Sequence, residues 1–209
     1  MGCSASSETE SPTRHQASQS SQMKYEVASQ QPGQIEGSPS GYNLKDQDYQ
    51  FPKPIWEDFK GAPKKGSKFF AESYWNVNYT YQARISGDRV ILTAQAKCVF
   101  NKEKSWVKPE KKSEVLLEHE QGHYYIGCLC AMNFNKRVQE TTFSKENYKK
   151  EIQDLFNQTL QEYLQLEKLY DEETCHCLDR DQQILWDKKF DTGIVALRDF
   201  WWPEVVEQV

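Results

Sequence analysis

Between Leu116 and Ile126 the chain reads Leu-Leu-Glu-His-Glu-Gln-Gly-His-Tyr-Tyr-Ile, an H-E-x-x-H spacing set among apolar residues. Positions i and i+4 lie on one face of a helix, so His119 and His123 can present two imidazoles to one metal ion. Glu120 falls one step round that helix, beside the metal and not on it, where a carboxylate can take a proton from water. The motif therefore demands a helix, predicted from the N-cap residue Ser113 to about Val138. The rest of the fold must bring it further donors.

Only two more histidines exist, His15 and His176. His15 lies in a segment, residues 1 to about 40, rich in Ser, Gln, Glu, Pro and Gly and nearly devoid of aliphatic residues. Such a segment buries too little apolar surface to offset its ordering entropy and is read as a disordered tether. Its start, Met1-Gly2-Cys3-Ser4-Ala5-Ser6, fits N-myristoylation with Cys3 as a second acylation site. It also fits the cleavage junction of a bacterial lipoprotein, with Cys3 acylated, which is the favoured reading, and an unmodified tail is the third. Residues 41–209 form the folded domain, where most of the 13% aromatic content resides. The net charge of −5 is spread over interspersed lysines and acids, which offers no nucleic-acid face. No apolar run reaches the roughly 18 residues of a membrane span.

Within the domain, Asp48 to Phe59 is aromatic and broken by Pro52 and Pro54, which predicts an extended or edge segment. Trp75, Val77, Tyr79, Tyr81, Ala83 and Ile85 then alternate with polar residues. After Ser86-Gly87-Asp88-Arg89 the alternation resumes at Val90, Leu92, Ala94, Ala96, Cys98 and Phe100. This is a β-hairpin with one buried face. After the motif helix, a second helix is predicted beyond Ser144, with Tyr148, Ile152, Leu155, Phe156, Thr159, Tyr163, Leu166 and Tyr170 on its apolar stripe. A shorter third helix holds Gln183, Leu185 and Trp186, and the last twenty residues fold back on the body. The fold class is α+β: an antiparallel hairpin or sheet on two long helices, in a zincin-like arrangement.

Catalytic zinc generally takes three protein ligands and leaves a fourth position for water. His119 and His123 supply two, and the third is sought in Tyr170-Asp171-Glu172-Glu173-Thr174-Cys175-His176. His176 is favoured, since imidazole suits zinc and no other histidine of the domain is unassigned. Asp171 is the alternative, as a ligand or as a partner orienting a histidine. Tyr170 is either a hydrogen-bond donor to a developing oxyanion or a core residue of its stripe. If His176 reaches the metal, Cys128 or Cys130 could form a disulfide with Cys175 or Cys177. Small buried thiols and a thiolate-rich second metal site are the alternatives.

Several separated segments resemble one family: Trp56-Glu57-Asp58-Phe59-Lys60-Gly61, Ser105-Trp106-Val107, Leu117 to Ile126, Tyr170-Asp171 with Thr174 and His176, and finally Gln183 and Trp186. The chain resembles the bacterial predicted secreted zinc-dependent proteases, defined by a domain of unknown function (number 922), over about residues 50 to 190. The resemblance implies a zincin-like domain in the bacterial cell envelope or outside the cell. It supports His119, Glu120 and His123 in their roles and strengthens Tyr170, Asp171 and His176 as site residues. Cys177 stands where the family pattern usually carries glycine.

The expectation is a zinc metallopeptidase acting on a peptide or protein substrate, with Glu120 as general base. The exposed edge of the 73–101 hairpin would hold an extended peptide. The competing reading is an envelope-anchored binding or assembly protein with a structural or vestigial metal site. A zinc hydrolase of a non-peptide amide, such as a cell-wall cross-link, is a third.

Overall fold

Alternating apolar residues build the largest strand pair. The structure is a computed structural model that describes residues 53–87 and 89–201. The tether reading for residues 1–40, acylation at Cys3, the start of the aromatic stretch and Trp202-Pro203 lie outside the described residues. Strands β2 (Trp75–Ser86) and β3 (Arg89–Phe100) pair antiparallel from Trp75↔Phe100 to Ser86↔Arg89. Gly87 takes φ +62° in the tight turn, a value that costs glycine nothing. One face buries Trp75, Val77, Val90, Leu92, Ala94, Ala96 and Cys98. Near the turn the pattern breaks on one strand: Ala83 and Ile85 are exposed, whereas Leu92 and Val90 opposite them are buried. The difference follows from β5 (Phe143–Ser144), which pairs with β3 at Val90↔Phe143 and leaves β2 as the sheet edge. A second, two-stranded sheet joins β1 (Ala71–Glu72) to β4 (Trp106–Val107).

Helix α1 (Glu114–Glu140) is the centre of the molecule. Ser113 caps it, its Oγ accepting from the Leu116 N–H at 3.2 Å. The helix is buried on almost all sides from Leu116 to Val138, because sheet, α2 and α3 enclose it. Gly127 permits the closest approach to the sheet. A Cβ there would stand 2.6 Å from Trp75 and 2.7 Å from the Cys98 sulfur. Asn135 of α1 serves the edge of β3, accepting from the Ala96 N–H (2.7 Å) and donating to the Ala96 carbonyl (3.1 Å).

Helix α2 (Tyr148–Glu173) buries Ile152, Phe156, Thr159 and Tyr170 of the expected stripe. Tyr148, Leu155, Tyr163 and Leu166 pack partly buried against the same core. Helix α3 (Arg180–Leu197) starts on Asp179, whose carboxylate accepts from the Gln182 N–H at 3.0 Å. It runs well past the short third helix expected. Its Gly193 is an unfavourable helix residue tolerated by close packing on Leu129 of α1. The chain then folds back, with the Phe200 carbonyl accepting from Asn135 at 2.9 Å. Trp56–Asp58, expected to be extended, form a 3-10 turn instead, since Asp58 accepts from the Ile55 N–H at 3.1 Å. The architecture is α+β, with three α-helices and antiparallel sheets among the described residues. None of the described helices is long and apolar enough to cross a membrane.

Candidate metal centre

Helix α1 delivers His119, Glu120 and His123, all fully buried, and the last turn of α2 delivers Asp171. His123 Nε2 lies 3.1 Å from His119 Nε2. Asp171 Oδ1 lies 3.2 Å from His119 Nε2 and 3.6 Å from His123 Nε2. Three ligands of a tetrahedral zinc, each at about 2.0–2.1 Å, stand roughly 3.3–3.4 Å apart. The triangle observed has that size, and its donor set of two imidazoles and a carboxylate suits a divalent metal ion.

The outer nitrogens are turned to oxygen atoms, as metal-binding histidines require. His119 Nδ1 is 3.2 Å from Gln183 Oε1, and His123 Nδ1 is 3.5 Å from Glu167 Oε1. Glu167 is itself fixed by the Trp75 indole, which donates at 2.7 Å and ties α2 to the start of β2. Burial pushes His119 down to about 4, outweighing the carboxylate of Asp171. Burial works the same way on His123, but there Asp171 and Glu167 together prevail and its pKa is raised.

Tyr170 lies beneath both imidazoles. Its ring stacks on His119 at 4.6 Å and meets His123 edge-on at 4.6 Å. Its hydroxyl accepts from Gln183 Nε2 (2.8 Å) and donates to the His119 carbonyl (3.1 Å). That hydroxyl serves the backbone of α1 from a fully buried position, so its place is that of a core residue supporting the histidines. Gly122 makes the contact possible, since a Cβ there would stand 2.3 Å from the Tyr170 hydroxyl.

Glu120 is held by one oxygen only. Ser73, directly after β1, donates to Glu120 Oε2 at 2.6 Å. Glu120 Oε1 is buried with no hydrogen-bond partner among the described residues. Burial pushes this carboxyl up to about 8, and His123 and Ser73 offset only part of the effect.

His176, favoured from sequence as the third donor, stands outside the group that His119, His123 and Asp171 form. Its Nδ1 is 3.1 Å from Asp171 Oδ1, and its half-buried ring packs 5.8 Å from Phe69. Backbone conformation is the reason. Cys175, His176 and Cys177 have φ of 48°, 53° and 74°, three consecutive left-handed residues that reverse the chain between α2 and α3. Asp171 precedes the reversal and faces α1, whereas His176 sits within it. At Cys177 the φ of 74° is one that glycine adopts at no cost.

Of the readings open for the cysteines, the disulfide is not the one found and the small buried thiol is. Cys98, Cys128, Cys130 and Cys177 are thiols, and Cys128 lies against Cys98 of β3 instead of the Cys175–Cys177 turn. Cys128 faces the sheet and Cys130 faces α2 near Tyr163, whereas Cys177 packs in a separate cluster with Val107 and Leu116.

Four supporting residues escaped the sequence reading. Glu167 carried a signal, a charge within the apolar stripe between Tyr163 and Tyr170. Gly122 carried another, a glycine inside a helix, which often marks a close approach. Ser73 carries none, and Gln183 belongs to the family segments without a role of its own.

The whole constellation from Ser73 to His176 falls inside residues 57–177, which match the family described as Bacterial protein of unknown function (DUF922). Gln183 and Trp186 lie beyond that span. No curated protein and no solved structure matches the chain. Because the match covers more than half of the sequence, the protein belongs to the DUF922 family of bacterial proteins.

Proposed function

We propose that this protein is a zinc-dependent peptidase whose metal is held by His119, His123 and Asp171. The single observation that carries the reading is a triangle of three donor atoms beside a buried glutamate with one uncommitted oxygen. Zinc in such a set supplies Lewis acidity, polarising a carbonyl group and lowering the pKa of water.

The protein's own groups divide the remaining work. His119 and His123 offer Nε2, with each Nδ1 turned to Gln183 or Glu167. Ser73 pins Glu120 Oε2, which leaves Oε1 to receive a proton and return it to the leaving amine. Tyr170 keeps the two imidazoles in register from below. His176, 30% exposed at its side chain, stands at the outer side of Asp171, where it steadies that carboxylate. The edge of β2 is unpaired among the described strands and starts at Trp75, next to Glu167, which suits an extended substrate. The reading also favours a place in the cell envelope or outside the cell, with Cys3 as the acylation site.

Metal analysis of the purified protein and cleavage of a peptide library test this directly. Stoichiometric zinc is expected, with cleavage by the wild type and none by Glu120→Gln. Zinc without any Glu120-dependent cleavage would remove the enzyme claim. The complete burial of His119 and His123 also suits a binding protein with a structural metal. In that case His119→Ala lowers the melting temperature, and Glu120→Gln leaves every measured property unchanged.

A further inference from the structure

Two lysine-rich segments, far apart in sequence, meet beside the metal centre. Residues 60–68 and 102–112 carry nine lysines against two glutamates, in a chain whose net charge is −5. Pairing of β1 with β4 brings them together, and backbone bonds from Lys60 to Lys102 (2.9 Å) and from Lys108 to Phe70 (2.8 Å) extend the junction. Lys60, Lys64 and Lys102 face carboxylates. Lys65, Lys68, Lys104, Lys108, Lys111 and Lys112 have no ion pair among the described residues.

Two of the unneutralised charges stand close together. The Lys108 and Lys111 ammonium groups lie 5.6 and 4.4 Å from the centre of the same Phe70 ring. They are therefore within about 10 Å of each other, one Debye length at 0.1 M salt. Lys108 is held there by the Ser67 carbonyl at 2.9 Å. Lys68 sits 5.2 Å from the Phe69 ring, and that ring packs on His176. Through Phe69 and His176, Lys68 is linked to the outer side of Asp171. Like charges gathered on aromatic rings attract an anionic partner, and the Phe69–His176 contact beside the site points to the substrate itself.

We propose that the surface formed by Lys68, Lys108 and Lys111 around Phe69 and Phe70 binds an acidic segment of the polypeptide substrate. The proposal rests on the peptidase reading. It assigns a substrate class, polypeptides with Asp or Glu residues flanking the bond presented to Glu120.

The test is fluorescence anisotropy with the full-length Glu120→Gln protein and a short labelled peptide of alternating Glu and Ser. A second peptide carries Lys in place of Glu. The acidic peptide is expected to bind about tenfold or more tightly than the basic one, and to weaken steadily between about 50 and 300 mM salt. The double variant Lys108→Glu/Lys111→Glu should lose about tenfold in affinity, whereas Lys145→Glu/Lys149→Glu should lose none. If the double reversal does not fold, Lys111→Gln replaces it, and a smaller loss is expected. Equal binding of the two peptides overturns the proposal, as does unchanged affinity in the patch variant. So does patch-dependent binding of phosphatidylserine vesicles or single-stranded DNA with no binding of the acidic peptide. No cleavage is measured, so failure here leaves the peptidase reading standing. Intact binding without Glu120-dependent cleavage in the library assay retires that reading alone.

Discussion

Glu72 and Glu120 are buried carboxylates on either side of Ser73, and they are treated in opposite ways. Glu72 Oε2 receives three donors: the Trp106 indole at 2.7 Å, the Tyr74 hydroxyl at 2.9 Å and the Lys64 ammonium at 2.6 Å. It closes the join between β1 and β4. Glu120 Oε2 receives Ser73 alone, Oε1 receives nothing among the described residues, and the negative field of Glu72 adds to the burial that raises its pKa. A buried charge with matched donors is structural, and one left short of them retains the capacity to exchange a proton. The same fold builds both beside one residue, Ser73.

The contrast can be broken most severely at Glu72. Glu72→Ala leaves the Trp106 N–H and the Tyr74 hydroxyl without an acceptor, and should cost about 3 kcal/mol or more in urea denaturation. A loss below ~1 kcal/mol would show that Glu72 does not hold this region together.

Gly122→Ala should come next, at about 2–3 kcal/mol, because its Cβ would collide with the Tyr170 hydroxyl 2.3 Å away. On the peptidase reading, zinc affinity, measured by competition with a chelating dye, should fall with it as Tyr170 shifts under His119. A variant as stable and as metal-competent as the wild type would exclude the supporting role of Tyr170.

Glu120→Gln should have the smallest effect, within ~1 kcal/mol near neutral pH, since a neutral amide suits a site already short of donors. Its pH dependence sharpens the comparison. In chelator-treated wild type, Glu120 is raised from 4.5 to about 8, so the folded state keeps a proton that the unfolded state releases. Stability must then fall as pH rises from about 5 to about 8. Glu120→Gln should fall less over that window, in paired denaturation curves at several pH values. Parallel wild-type and variant curves would show that Glu120 is not held in its protonated form.

Local pattern made much of this legible in advance. The hairpin, the Ser113 cap and the α2 stripe follow from periodicity, and His119, Glu120 and His123 follow from helical spacing alone. The misreadings share another origin. The hidden extent of α3 depends on Gly193 packing on Leu129, and the turn at Trp56–Asp58 depends on one side-chain bond to Ile55. Glu167 reads as an error in an apolar stripe until Trp75 and His123 are seen beside it.

By itself the sequence determined that one helix carries two imidazoles and a carboxylate at the right spacing, because α-helical geometry needs no partner to define it. Only the tertiary structure decided that Asp171, and not His176, joins them. That outcome turns on a left-handed reversal at Cys175–Cys177 and on a glycine at 122 that lets Tyr170 pass beneath the helix. Such contacts join segments some fifty residues apart, as Tyr170 and His119 are. Residue spacing along the chain does not encode the direction from which a distant segment arrives.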